Sequence, residues 1–159
     1  MISLEQEIGS LLRQKGLTLG IVESATGGLI SRLITNVPGS SKYYRGSITA
    51  YSDEVKIEVV GVKEDTTNNY GAVSFQAAEE MAHGGRKILA ADICLASTGI
   101  AGPSGDTAEK PLGLFYIGLS HQAGTCSQKH YFHGNREQTR YQAAQAALGW
   151  LKECLISLK

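Results

Sequence analysis

The chain has 159 residues, 42% of them hydrophobic and 19% charged, with fifteen basic side chains set against fifteen acidic ones. That is one ordinary domain with enough apolar content for a core, not a disordered chain, and no stretch approaches the run of about 20 apolar residues that a membrane helix needs. A formal charge of zero provides no broad field for DNA or an anionic bilayer, so no nucleic acid and no membrane is expected as a partner.

Met1 to Glu7 lack a basic stretch followed by an apolar one, so no secretory signal is read there. Leu4, Ile8, Leu11 and Leu12 then recur at helical spacing, and Gly16 ends that first helix. Leu17 to Val22 reads as a short buried strand. Thr26-Gly27-Gly28 opens a second helix carrying Leu29, Ile30, Leu33 and Ile34, closed by Pro38-Gly39. Ser47 to Tyr51 has the look of a strand, and Ser52-Asp53-Glu54 that of a helix start, a capping hydroxyl followed by two acids.

Ser74 caps a longer helix running to about Leu89, and the apolar strand Ile93 to Ala96 follows. A glycine-rich loop spans 98–111. Leu112 to Ser120 and Ser127 to Phe132 read as a hairpin with Gly124 between them. In the last helix Ala144, Leu148, Leu151, Leu155 and Leu158 form one apolar stripe. No repeat or linker divides the chain, so 1–159 is a single domain. Strands alternating with helices, then an antiparallel pair, imply an α/β fold, a three-layer α/β/α sandwich with a mixed sheet.

In such sheets ligands sit beyond the carboxyl ends of parallel strands. Two loops rich in Gly, Ser and Thr fall there, Glu23 to Gly28 and Ser97 to Gly105. Ser24 stands at a strand-to-helix turn, and the amides of Thr26, Gly27 and Gly28 are expected to open toward it and receive an anion. Simple helix capping by Ser24 or Thr26 is the plainer alternative. Lys56, near the start of its own helix, is placed where the dipole lowers an amine pKa, which suits a base for a serine hydroxyl. A solvated surface lysine is the competing reading. In the second loop, Thr98, Gly99 and Gly102 let the backbone approach a ligand, and Arg136 at the start of the last helix can meet a phosphate or carboxylate. Cys94, Cys126 and Cys154 are odd in number and widely spaced, which suggests reduced thiols and a cytoplasmic location. His130 and His133 make a poor chelate, so no metal is expected.

In order and spacing these segments resemble the CinA C-terminal domain family, whose enzymatic members are nicotinamide-nucleotide amidases (PncC type). The resemblance rests on Glu-Ser-Ala-Thr-Gly-Gly at 23–28, Val-Pro-Gly-Ser-Ser at 37–41, Ala-Tyr-Ser-Asp-Glu-Val-Lys at 50–56 and Gly-Ala-Val-Ser at 71–74. Further matches are Thr-Gly-Ile-Ala-Gly-Pro at 98–103, Glu-Lys-Pro-Leu-Gly at 109–113 and Gly-Asn-Arg-Glu at 134–137. It implies a mixed, mostly parallel five-stranded sheet and a cofactor-free hydrolysis of nicotinamide mononucleotide to nicotinate mononucleotide and ammonia. The family's motif serine, lysine and tyrosine fall on Ser24, Lys56 and Tyr51, and its substrate pocket falls on the Thr98–Gly102 loop and Arg136.

Two positions depart from the family pattern. Ala25 stands where cysteine is common, and Asn135 where aspartate is. The large N-terminal domain of full-length CinA proteins has no counterpart here. A catalytically silent nucleotide-binding or interaction module is the alternative reading, and serine–lysine acyl transfer on another amide is a third. A homodimer or higher homo-oligomer is the expected assembly.

Overall fold

The computed structural model describes residues 1–159. In chain order the elements are α1 (Leu4–Lys15), β1 (Leu19–Glu23), α2 (Leu29–Thr35), β2 (Tyr44–Thr49), α3 (Asp53–Val55), α4 (Glu64–Tyr70), α5 (Phe75–Ile88), β3 (Ile93–Gly99), β4 (Leu114–His121), β5 (Gly124–Tyr131) and α6 (Arg136–Ser157). A π-helical turn, Lys56–Val60, continues α3. Ser3 and Gln6 close a capping box on α1, and Gly16, at φ 64°, ends it in the left-handed conformation that glycine adopts without strain.

The sheet runs β2-β1-β3-β4-β5. β1 pairs in parallel with both β2 and β3, whereas β4 is antiparallel to β3 and to β5. Four strands therefore share one direction and β4 opposes them. After β1 the chain moves outward to β2 and then crosses back to β3, so chain order reverses between β1 and β3. Their carboxyl ends flank the crevice where such sheets take ligands.

Alternation along the strands builds the two faces. Leu19 and Ile21 of β1 and Leu95 of β3 point into a core shared with Ile8, Leu12, Ile30, Ile34, Leu148 and Leu151 of α1, α2 and α6. Val22, Cys94 and Ala96 point the other way, onto Met81 and Ala82 of α5 and Val60 and Val62 beside it. The three layers are thus α1, α2 and α6 on one side, the sheet, and α5 with the π-helical turn on the other.

β3 runs on to Gly99, so Thr98 and Gly99, expected in a loop, lie on the strand, and three further elements differ from the sequence expectation. β2 starts at Tyr44, opposite Leu19, and ends at Thr49, so Tyr51 lies beyond the strand. As an edge strand with Tyr44, Gly46 and Ile48 only half-buried it carries a weak apolar signal. β5 opens with Gly124 rather than following it. Gly124 pairs with His121 across a two-residue turn, Gln122-Ala123. The alternation of Thr125, Ser127 and Lys129 is too polar to mark that strand. Helix α4, whose one buried side chain is Thr66, shows no apolar stripe at all.

Candidate active site

A cavity of about 280 Å³ opens at the carboxyl ends of β1 and β3. Ser24, Tyr51, Lys56, Thr98, Gly99 and Arg136 all line it. These come from four separate parts of the chain, and the switch in strand order gathers them. Thr26, Gly27, Gly28 and Gly102, also expected in the site, stand behind its wall.

Ser24 follows β1 directly, and its amide donates to the Ser97 carbonyl at 3.0 Å, so the turn stays stitched to β3. The Ser24 residue is 7% exposed, and its hydroxyl is engaged in no hydrogen bond within the chain. It caps no helix. The next turn is closed by the Gly27 amide donating to the Ser24 carbonyl at 2.9 Å. That bond corrects the expected anion cradle, because the Gly27 amide is occupied. The first-turn amides of α2 are occupied as well. Ile30 and Ser31 donate to the two carboxylate oxygens of the fully buried Glu23, at 2.8 and 3.1 Å. Helix α2 thus directs its positive end at Glu23 rather than at a ligand. Gly28 lines a different cavity. The amides of this turn left without a partner are those of Ala25, Thr26 and Gly28, and of these three residues Ala25 alone lines the cavity beside Ser24.

Lys56 is 2% exposed, not a surface lysine. Ser52 caps α3 by accepting from the Val55 amide at 3.2 Å, which places Lys56 at the end of α3 and the start of the π-helical turn. Its Nζ donates to the Tyr51 carbonyl at 3.0 Å and stands 3.8 Å from Asp53 Oδ1. Burial pushes the amine below its ordinary pKa, while Asp53 and Glu54 pull it back up. The position near a helix start suggests the dipole as the cause; the leading cause in the structure is desolvation. No direct hydrogen bond joins Lys56 Nζ to Ser24 Oγ; the two share the cavity wall.

The rim belongs to Arg136, which donates through Nη1 to the Gly102 carbonyl at 2.8 Å and through Nη2 to the Tyr51 hydroxyl at 3.0 Å. Gly102 therefore acts through its carbonyl, as an anchor for Arg136. Thr98 Oγ1 donates to the Ala72 carbonyl at 2.8 Å and fixes the loop before α5 against the cavity. Thr26 Oγ1 is bonded to Ser97 Oγ at 2.7 Å and is likewise structural. The lining also includes Ala72 and Val73, given no individual role in the sequence, and Ser104 and Gly105 of the Ser97–Gly105 loop. The motif at 71–74 and the run of glycines past Gly102 were the available signals. No histidine lines the cavity, so an imidazole base is not at hand. His130 stacks on Phe132 at a centroid distance of 5.4 Å.

A serine after a parallel strand, a buried lysine and an arginine at the rim, set on a three-layer α/β/α sandwich, define a class of small α/β proteins built around one polar crevice. The chain belongs to the CinA C-terminal domain family, whose model matches residues 1–155. A competence-damage inducible protein of Halothermothrix orenii is 50% identical over 94% of this chain, and a CinA-like protein of Geotalea uraniireducens 42% identical over 99%. The matches cover 36% and 37% of those proteins, so the chain spans little more than a third of the length of these curated relatives. Among solved structures, a competence damage-inducible protein A from Klebsiella pneumoniae superposes with a TM-score of 0.95 at 29% identity, over 98% of this chain and 97% of that one. A competence/damage inducible protein from Agrobacterium tumefaciens does so with 0.92 at 34%, over 97% and 94%.

Proposed function

We propose that the protein is an amidase that hydrolyses the carboxamide of nicotinamide mononucleotide, with Ser24 as nucleophile and Lys56 as base. One observation carries the reading: a buried lysine with a depressed pKa and an unengaged serine hydroxyl line the same cavity. A neutral amine that donates one hydrogen to the Tyr51 carbonyl keeps its lone pair for a hydroxyl proton. Catalytic hydrogen bonds are often open in the absence of substrate and close when it binds.

In the reaction, Lys56 accepts the Ser24 proton as Oγ bonds to the carboxamide carbon. The Ala25 amide receives the negative charge, a contribution of roughly 3–4 kcal/mol for a well-aimed donor. The carbon–nitrogen bond then breaks, and the proton held by Lys56 leaves with ammonia, relayed by the Tyr51 hydroxyl. Water, deprotonated by Lys56, attacks the acyl-serine, releasing nicotinate mononucleotide and restoring Ser24. Arg136 and the segment Thr98–Gly102 hold the phosphate. No metal or cofactor takes part.

Purified protein, its Ser24→Ala variant and its Lys56→Ala variant are assayed for ammonia release from nicotinamide mononucleotide. Turnover by the parent and its loss in both variants supports the proposal. Wild-type rates in both variants overturn it, and nucleotide binding without ammonia release points to a silent binding module.

A further inference from the structure

The turn Ser24-Ala25-Thr26-Gly27 is a partition between two cavities. Ser24 and Ala25 face the one just described, whereas Gly27 and Gly28 face another, of about 760 Å³, together with Arg140. From that rear side Arg140 of α6 grips the turn. Its Nε donates to the Ala25 carbonyl at 2.9 Å and its Nη2 to the Thr26 carbonyl at 3.0 Å. Gly27 leaves room for this grip. It takes φ 59°, and a Cβ there would lie 3.1 Å from Arg140 Nη2.

Both peptides are trans, as the chain's one cis bond precedes Pro103. In a trans peptide the N–H points opposite to the C=O. With the Ala25 carbonyl turned back onto Arg140, the Thr26 amide points away from it, and Thr26, fully buried, lines neither cavity, so the grip acts on the course of the backbone. The guanidinium fork is the one side chain able to span two successive carbonyls in a fixed plane.

We infer that Arg140 is a positioning residue for the nucleophile turn: without touching substrate, it fixes the course of the Ala25–Thr26 backbone, and with it Ser24 Oγ and the Ala25 amide, from behind. This rests on the reading of Ser24 as nucleophile and adds a component that the cavity lining does not contain. It also separates two arginines one helical turn apart, Arg136 at the substrate rim and Arg140 at the back of the nucleophile turn.

The test compares the parent with Arg140→Met and Arg140→Lys on the full chain. For ammonia release from nicotinamide mononucleotide, kcat falls roughly ten- to hundredfold in Arg140→Met with KM held within about twofold, the pattern of a displaced nucleophile turn. Added guanidinium chloride restores part of the rate, and sodium chloride at equal ionic strength does not. Arg140→Lys is intermediate, since one ammonium cannot span both carbonyls, and it carries the test if Arg140→Met fails to fold.

A second readout needs no amide. A fluorophosphonate probe bonds its phosphorus to Ser24 Oγ, fluoride leaves, and Lys56 takes the proton; its charged transition state uses the same donors. Slower labelling of Ser24 in the Arg140 variants supports the inference, even if the parent releases no ammonia, in which case the substrate assignment alone fails. Equal labelling rates and equal kcat in parent and variants overturn it. So does a loss confined to KM or to thermal stability without guanidinium rescue. Absence of labelling at Ser24 in the parent overturns both the inference and the reading beneath it.

Discussion

The Lys56 amine donates to the main-chain carbonyl of Tyr51 at 3.0 Å, a bond that closes a loop between the end of β2 and the π-helical turn. The lysine is thereby held by backbone rather than by a carboxylate, and its nearest acid, Asp53, stays 3.8 Å away. A neutral amine satisfies this bond as well as an ammonium does, and burial favours the neutral form.

The first prediction concerns pH. If Lys56 is the base, kcat/KM rises as pH climbs through its depressed pKa, with a slope near one in the logarithmic plot, and the rise is absent in Lys56→Met. Stability follows the same group. The folded pKa lies below the unfolded value of 10.5, so between the two the unfolded chain binds more protons and folding gains stability as pH increases. Below the folded pKa the full cost of burying the ammonium is present. Lys56→Met removes that cost, so the variant is inactive yet unfolds at a higher temperature than the parent at neutral pH. A lower unfolding temperature contradicts the burial argument.

The rim provides a second prediction. Arg136 bridges Tyr51 and Gly102 across the cavity mouth. Arg136→Ala removes two charge-assisted bonds and the cation proposed to meet phosphate. We expect KM for the mononucleotide to rise by roughly ten- to hundredfold, matching about 1.5–3 kcal/mol. Hydrolysis of a phosphate-free nicotinamide riboside, already slow, changes little. Equal losses on both substrates exclude the phosphate role.

Glu23 was read in the sequence as one letter of a motif, and the structure gives it a structural task. Its buried carboxylate satisfies the amides of Ile30 and Ser31 at the start of α2. Glu23→Ala leaves both amides unpaired in the interior and lowers stability by about 2–5 kcal/mol. Glu23→Gln keeps one acceptor and costs less. Denaturant unfolding of the two variants gives the ranking, and a neutral Glu23→Ala is the result that contradicts it.

Much of the fold was legible because its signals are local. The end of α1 at Gly16, the stripe on α6 and the cap at Ser74 are each written within a few residues, and each forms as read. The strands Tyr44–Thr49 and Gly124–Tyr131 shifted because pairing across the sheet, not apolar alternation, decides their limits. Within the site, the family motifs led to Ser24, Lys56 and Tyr51, which share one cavity. What could not be read was the direction of the amides. The Gly27 amide is used by Ser24 and the α2 amides by Glu23. Arg140 escaped notice because its partners lie more than a hundred residues away in sequence.

The two departures from the family pattern lead to a fourth prediction. Asn135 is the N-cap of α6, accepting from the Gln138 amide at 2.9 Å, a role that aspartate fills equally well. Ala25 packs with Ala101, Phe115 and Ala143, where a thiol is a tolerable small apolar group. Asn135→Asp is therefore near neutral for stability and activity, whereas Asn135→Ala costs about 1 kcal/mol. Ala25→Cys leaves turnover within about a factor of three of the parent, since a cost of less than about 0.7 kcal/mol is expected from a near-isosteric swap.

The last prediction tests how the lysine is held in place. At Gly84 of α5 an added Cβ would sit 1.9 Å from the Val60 carbonyl oxygen, the end of the turn that carries Lys56. Backbone cannot yield as a side-chain tip can, so Gly84→Ala must push α5 and the π-helical turn apart. We expect a stability loss of about 1–3 kcal/mol, and a fall in kcat beyond what the unfolded fraction explains, because Lys56 moves relative to Ser24. The control is Gly149 in α6, where an added Cβ meets nothing within 4 Å. There alanine removes backbone entropy from the unfolded chain and raises stability by about 0.5–1 kcal/mol without altering the rate. Opposite signs for these two identical substitutions, read by unfolding and by turnover at a temperature where both variants are folded, confirm that close packing against the sheet face positions the amine. Unchanged turnover in folded Gly84→Ala shows instead that the lysine is placed by its bond to Tyr51 alone.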